Sequence, residues 1–344
     1  MNRSCRNGLD IALQGGGAHG AFTWGVLDRL LEDEDIGITA VSGASAGAVN
    51  AAVLASGLAN GGREGARRAL SDFWEALNRV SRDSGPLIPL MEAFPLTFQA
   101  LSNWWSTMFG NVSLPSSPEM GAASQQALRS LLEEHIDFDA LRHGEAPRLF
   151  LSATDVRNGN ARIFRNEEMS ADVLLASACL PLFFPPVTID GVDYWDGGYS
   201  ANPPIMPLVQ ESPCDDLLLV TINPTSREET PRSSSEITNR LTELSFNQTL
   251  IKDLRGLVLV QGEVSPLHFG KGLLATVKRL RIHEIHDEET LSAMPAQSKL
   301  TPLREMLLLL HGKGREAAEA WLAGDGRMLG KKGTARIAER YGPK

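Results

Sequence analysis

Cysteine is scarce: Cys5, Cys179 and Cys214 are the only three in 344 residues. An odd count without metal-like spacing argues against a disulfide framework or a zinc site and fits a reducing compartment. Basic clusters are lacking too. The net charge is -9, the pI is near 5.4, and no Lys/Arg block could neutralise a phosphate backbone. Nucleic acid is therefore not an expected partner. The same acidity means that any transient membrane contact must come from apolar surface rather than charge. Long apolar runs are absent: Leu217 to Val220 and Met306 to Leu310 fall far short of the ~20 residues of a spanning helix. Leu9 to Leu13 is too short and too early for a signal peptide. A cytoplasmic protein, peripheral at membranes at most, is expected.

What is present is an ordinary globular composition, with 42% hydrophobic and 22% charged residues, 32 glycines and 19 prolines. From residue 9 to 60 the pattern reads strand, glycine turn, helix, strand, glycine-serine turn, helix. Leu9 to Leu13 and Ile38 to Val41 are short and apolar, whereas Ala21 to Leu31 and Ala46 to Leu58 favour helix. Two strand-helix units in succession predict a parallel sheet flanked by helices, hence an α/β fold. A further helix is expected over Arg63 to Arg79. Strands are expected at Arg148 to Thr154, Ala161 to Phe164 and Asp216 to Ile222, with a strand pair from Pro185 to Trp195 around Asp190-Gly191. Ala171 to Cys179 reads as helix. Ile237, Leu241, Leu244, Ile251, Leu254 and Val258 are spaced for a long amphipathic helix whose apolar face meets the core. The tail after Leu300 reads as a helix to Leu322 and then a frayed Gly- and Lys-rich end. Residues 83 to 120, with Trp104, Trp105, Met108 and Phe109, read either as a lid or acyl-pocket wall or as a structural insertion. No internal repeat stands out.

Three short motifs carry chemistry. Gln14-Gly15-Gly16-Gly17-Ala18-His19-Gly20 lies between a strand and a helix, where glycines leave backbone N–H groups bare at a helix N-terminus. Gly15, Gly17 and Gly20 also satisfy a dinucleotide fingerprint. That reading requires an acidic residue ending the second strand, which here ends in Val41-Ser42-Gly43-Ala44-Ser45, while Asp33, Glu34 and Asp35 come too early. Gly43-Ala44-Ser45-Ala46-Gly47 has the form of a nucleophile elbow, in which small neighbours let a strained turn expose the serine oxygen. A bare serine cap on a helix is the bland alternative. The glycine turn one unit earlier favours the elbow, because an acyl-transfer serine needs donors for its oxyanion.

A serine also needs a base. Of the histidines His19, His135, His143, His268, His283, His286 and His311, the candidates for a triad base are His268, His283 and His286, yet none of these sits in a specialised loop. His283 and His286 lack the convergent partners of a metal site. Tyr194-Trp195-Asp196-Gly197-Gly198 offers a carboxylate at a strand end, which can take the serine proton directly if held close and desolvated. By itself Asp-Gly-Gly is also simply a turn.

Taken together, and in this order, Gly15 to Gly20, Gly43 to Gly47 and Asp196 to Gly198 resemble the patatin-like phospholipase family of lipid acyl hydrolases. Ala176-Ser177-Ala178-Cys179-Leu180-Pro181, Phe184-Pro185-Pro186-Val187 and Ile189-Asp190-Gly191 resemble it as well. The likeness runs from residue 9 to about 222; Phe246-Asn247-Gln248 and Leu254-Arg255 are similar to a downstream helix of a bacterial branch. The resemblance implies a three-layer α/β/α fold with a mostly parallel central sheet and a Ser-Asp dyad at the strand C-terminal edge. It implies a core over 1–222 and a mainly helical extension over 223–344. Ser45 would be the nucleophile, Asp196 the base, and the N–H groups of Gly15, Gly16 and Gly17 the oxyanion hole. Gly43 and Gly47 would shape the elbow, with His19, Gly20, Gly197 and Gly198 in support. The substrate would be a lipid or other acyl ester, and no metal or organic cofactor is implied. Family members carry Arg or Lys where this chain has His19, an exchange that removes a permanent charge beside the turn and favours neutral or simple ester substrates. Asp155 reads as a turn residue or a support of the site. A catalytically idle lipid-binding protein of the same fold is the second reading, and a dinucleotide enzyme the third.

Overall fold

The computed structural model describes residues 8–83, 118–181, 183–227, 230–232, 234–263, 272–294, 298–299 and 302–341. The proposed lid at 83–120, with its tryptophans, falls almost wholly outside the described residues, as do Cys5 and His268. The first half of the chain runs β1 (Gly8–Leu13), α1 (Gly20–Leu31), β2 (Gly37–Gly43), α2 (Ala46–Asp83), α3 (Pro118–His135), α4 (Phe138–His143) and β3 (Arg148–Asp155). It continues through β4 (Ala161–Phe164), α5 (Ala171–Ser177), β5 (Val187–Ile189), β6 (Val192–Asp196), α6 (Met206–Glu211) and β7 (Asp216–Val220). The last third adds α7 (Ser234–Glu263), α8 (Leu273–Arg279), β8 (Arg281–Ile285), α9 (Glu288–Ala293), α10 (Arg304–Ala323) and α11 (Ile337–Tyr341).

The eight strands form one sheet in the order β5-β6-β3-β2-β1-β7-β8, with β4 also on β3. The neighbours from β3 to β8 are parallel; β4, β5 and β6 add an antiparallel edge. The central strands are apolar on both faces, as burial beneath two helix layers requires. In β1, Leu9, Ile11 and Leu13 enter the core under α1, α2 and α10, while Ala12 faces the core under α6, α7, α8 and α11. β7 repeats this, with Leu218 and Val220 on the first side and Leu217 and Leu219 on the second. This is the mostly parallel α/β architecture with flanking helices that the alternating motifs predict.

The two helices expected at Ala46 to Leu58 and Arg63 to Arg79 are both present within α2, separated by a kink where Gly61 and Gly62 leave helical geometry and Gly62 takes a φ of +59° that glycine adopts freely. Other expectations need correction. On α7, Ile237, Leu241, Leu244 and Val258 are exposed, and the buried face is Phe246, Leu250, Leu254 and Leu257 together with Glu243 and Asn247. The two polar groups tolerate burial because Arg227 and Arg240 pair with Glu243 and Gln14 bonds Asn247. The segment expected to be frayed is held in place as far as Tyr341: Thr334 and Ala335 N–H bond to Ile282 O, and Tyr341 is buried with its hydroxyl on Glu284. The region after 222, expected to be mainly helical, also supplies strand β8 to the sheet. No described helix is long and apolar enough to cross a membrane.

Candidate active site

Ser45 stands between β2 and α2 with φ of +53°, a left-handed conformation that is costly for a residue bearing a Cβ. Small neighbours make the turn possible. A side chain at Gly43 would start 2.5 Å from the Gly47 carbonyl carbon, and one at Gly47 would start 2.2 Å from Leu13 O. The turn closes through Gly47 N–H to Ala44 O at 2.8 Å, and Ser45 N–H donates to Ser177 Oγ at 3.0 Å. Ser45 thus lies at the N-terminus of α2, where the helix dipole stabilises developing negative charge.

The glycine turn after β1 packs directly against this elbow, because β1 and β2 are parallel neighbours whose ends, Leu13 and Gly43, are in register. A side chain at Gly15 would begin 2.8 Å from Ser45 Cβ, and one at Gly20 would begin 2.9 Å from Ala46 Cβ. Gly17 has φ of +60°. Buried amides hold the turn in place. Gln14 Oε1 accepts from the N–H groups of Ile222 and Asn223, and Asn223 Nδ2 donates to Gly15 O at 2.7 Å. Gly15 N–H donates to Asn202 Oδ1, also at 2.7 Å. That bond corrects one expectation: the Gly15 N–H is already engaged and is not a free oxyanion donor. The N–H groups of Gly16 and Gly17 have no hydrogen-bond partner among the described residues.

Asp196 reaches the site from the antiparallel edge. β3 overhangs β2, and Asp196 ends β6 opposite Ala153, two residues beyond the Leu151 that pairs with Gly43. The carboxylate is fully buried. Oδ1 accepts from Gly198 N–H at 2.7 Å, whereas Oδ2 has no hydrogen bond of ordinary geometry. Burial pushes the carboxyl up to about 7, and the Gly198 N–H and the nearby Ser45 hydroxyl offset part of that rise. The two following glycines are forced: a Cβ at Gly197 would meet Ser152 O at 2.1 Å, and one at Gly198 would meet Asp196 Oδ1 and the Phe246 ring at 2.9 Å. Asp196 N–H donates to Cys179 O, and its own carbonyl accepts from Thr154 Oγ1. Burial, helped by Asp196, raises the Cys179 thiol to about 12 and so keeps it protonated.

Among the described residues no histidine bonds to Ser45 or Asp196. His283 lies inside the sheet between Asp216 and Thr334, and His311 stacks on Trp24 and faces Asp28. His19 is buried with Nε2 2.7 Å from Ser298 Oγ, and burial, aided by the charges of Lys299 and Arg227, lowers it to about 3. It is neutral. Asp155 accepts from Arg157 N–H and Asn158 and so serves its own turn. Sequence reading missed the roles of Asn202, Asn223, Ser177 and Lys299: Ser177 lies within the Ala176 to Pro181 segment already singled out and Asn202 just after the Asp196 motif, whereas Asn223 and Lys299 are single polar residues outside any motif.

The arrangement brings together a serine on a strained turn, a buried carboxylate and two backbone N–H groups without hydrogen-bond partners among the described residues. The patatin-like phospholipase family model matches residues 11–209. No curated protein matches the chain. Among solved structures, VipD from Legionella pneumophila aligns over 92% of this chain and 67% of its own, at 16% identity and a TM-score of 0.39. Full-length ExoU or SpcU, in the complex of the two from the type III secretion system of Pseudomonas aeruginosa, aligns over 90% of this chain and 74% of its own, at 15% identity and a TM-score of 0.30.

Proposed function

The chain belongs to the patatin-like phospholipase family, and on that premise we propose that it is a serine-dependent hydrolase of fatty-acyl esters of lipids, working through Ser45 and Asp196. The observation that carries the reading is the Asp196 carboxylate: fully buried, raised to about 7, with Oδ2 unbonded and the Ser45 hydroxyl close by. A base poised near the working pH can take a proton without holding it too tightly.

In the first half-reaction the Ser45 oxygen attacks the ester carbonyl as its proton passes to Asp196 Oδ2. The N–H groups of Gly16 and Gly17, at the start of the turn into α1, receive the oxyanion. Collapse of the tetrahedral intermediate breaks the ester C–O bond, and Asp196 returns the proton to the departing alcohol. Water then adds to the acyl-Ser45 ester by the same path, Asp196 taking its proton and returning it to the serine oxygen as the fatty acid leaves. Asn202 and Asn223 hold Gly15 from both sides, so the donors are fixed before substrate arrives. The neutral His19 leaves the substrate side of the turn without a residue-19 cation and favours neutral or simple esters. Exposed Ile237, Leu241 and Leu244 on α7 supply apolar surface for brief contact with a lipid phase.

The test is hydrolysis of p-nitrophenyl esters of rising acyl length by wild type, Ser45→Ala and Asp196→Asn, each checked for folding by circular dichroism. Both variants are expected to lose about 10³-fold or more. An Asp196→Asn protein that keeps full activity would return the base to a histidine, and a folded but inactive wild type would favour the idle lipid-binding reading.

A further inference from the structure

A half-buried cation beside the glycine turn comes from the far end of the chain. Residues 298–299 lie against the turn on two sides: Ser298 Oγ meets His19 Nε2 at 2.7 Å, and the Lys299 carbonyl oxygen sits 2.2 Å from where a side chain on Gly17 would begin. Lys299 Nζ donates to Asn223 Oδ1 at 2.7 Å, and Asn223 Nδ2 donates to Gly15 O at 2.7 Å. The ammonium thus polarises an amide whose positive end grips the carbonyl of the turn, while Asn202 fixes the Gly15 N–H on the other side.

We propose that Lys299 is a positioning residue for acyl transfer at Ser45: through Asn223 it holds the Gly15–Gly17 turn in donor geometry, and its ammonium supplies positive charge behind that turn. The inference rests on the reading of Ser45 and the turn as an acyl-transfer site. Lys299 does not touch the substrate, and its contribution is to the charge that develops at the oxyanion, so it acts on kcat more than on KM.

That ammonium is open to titration. The charged or titratable groups facing Lys299 are Glu243 of α7, with Arg240 beside it, Arg227 after β7, and His19 of the turn. Burial lowers the Lys299 ammonium to about 8; Glu243 opposes that shift and Arg227 adds to it. His19 stays neutral. Lys299 therefore loses its proton in the mildly alkaline range, and activity should fall with it. Together with the rise as Asp196 ionises near 7, wild type should show a bell-shaped kcat/KM profile.

The experiment measures p-nitrophenyl ester hydrolysis, and fluorophosphonate labelling of Ser45, across the neutral to alkaline range for wild type, Lys299→Met and Lys299→Arg. Lys299→Met is expected to lose about 10- to 100-fold in kcat with KM little changed. Lys299→Arg should recover most of that at neutral pH and lose the alkaline fall, because guanidinium does not deprotonate. A folded Lys299→Met protein with wild-type kcat and the wild-type profile overturns the proposal. So does a wild type whose activity shows no fall through the alkaline range, a result that needs no variant to fold. If wild-type Ser45 is neither labelled nor active, the site reading itself fails and this inference with it; if it is labelled while the Lys299 variants behave as wild type, only the inference fails.

Discussion

Gly15 and Ser45 touch across neighbouring strand ends: a Cβ added to Gly15 would lie 2.8 Å from Ser45 Cβ and 2.5 Å from Ala44 O. Neither neighbour can yield easily, since one is backbone and the other sits on a strained turn. Gly15→Ala should therefore push the two turns apart, costing about 1–3 kcal/mol. A displacement of a fraction of an ångström between nucleophile and donors should also lower kcat/KM by about 10²-fold. Thermal melts and ester hydrolysis check both; a folded, fully active Gly15→Ala protein would show that the turn does not serve Ser45.

Asp196 should set opposite demands on activity and stability. Its folded pKa, about 7, lies above the ordinary 3.8, so the folded state favours the protonated form. The sign follows: its stabilising contribution is complete below about 4 and is lost as pH rises through 7. Asp196→Asn, which keeps the shape without the charge, should melt close to wild type at pH 4 and above it at pH 8. The gap would be on the order of a few kcal/mol, since each pKa unit is worth about 1.4 kcal/mol. Activity should move the other way, with wild-type kcat/KM rising through pH 7 and the variant inactive throughout. Equal melting differences at both pH values would contradict the buried charge.

Asn202 tests the amide frame without a hydrogen bond to Ser45 or Asp196. It is buried, and its Oδ1 satisfies the Gly15 N–H at 2.7 Å. Asn202→Ala leaves that donor unpaired in a dry site, at a cost of about 1–3 kcal/mol. Freed from Asn202, the turn should lose its fixed geometry, so kcat should fall while KM changes little. Asn202→Asp restores an acceptor and should recover stability more than rate, because its charge would oppose the oxyanion.

The positions of Ser45 and Asp196 were legible because short motifs of small residues leave few backbone solutions: Gly43, Gly47, Gly197 and Gly198 each abut backbone or ring atoms that forbid a side chain. The alternation of apolar strands and helices likewise gave the parallel sheet. Other features lie in pairings that no local pattern reveals. β8 reads Arg-Ile-His-Glu-Ile, and its charged residues hide a buried strand because Asp216 takes up Arg281 and His283 while Thr221 and Tyr341 take up Glu284. On α7 two apolar stripes compete at helical spacing, and the buried one includes Glu243, acceptable only because Arg227 and Arg240 arrive from elsewhere. Lys299 meets the glycine turn across some 280 residues of sequence, beyond any spacing rule.

The packing of α1 on α10 offers a paired test within one helix. Alanine normally stabilises a helix interior relative to glycine by about 1 kcal/mol. At Gly314 a Cβ would lie 2.0 Å from Phe22 O on α1, so the helices would have to separate, whereas at Gly312 nothing stands within 4 Å. Gly25 on α1 meets His311 O of α10 at the same 2.0 Å, so the close approach is held from both sides. Gly312→Ala should therefore raise the melting temperature slightly, and Gly314→Ala should lower it despite the identical chemical change. Because α1 begins at Gly20, against Ala46 of the Ser45 elbow, the Gly314 variant should also lose ester hydrolysis at a lower temperature than wild type, in step with its melt. If both substitutions stabilise, the contact between α1 and α10 is looser than these distances require, and α1 is free to shift without disturbing the elbow.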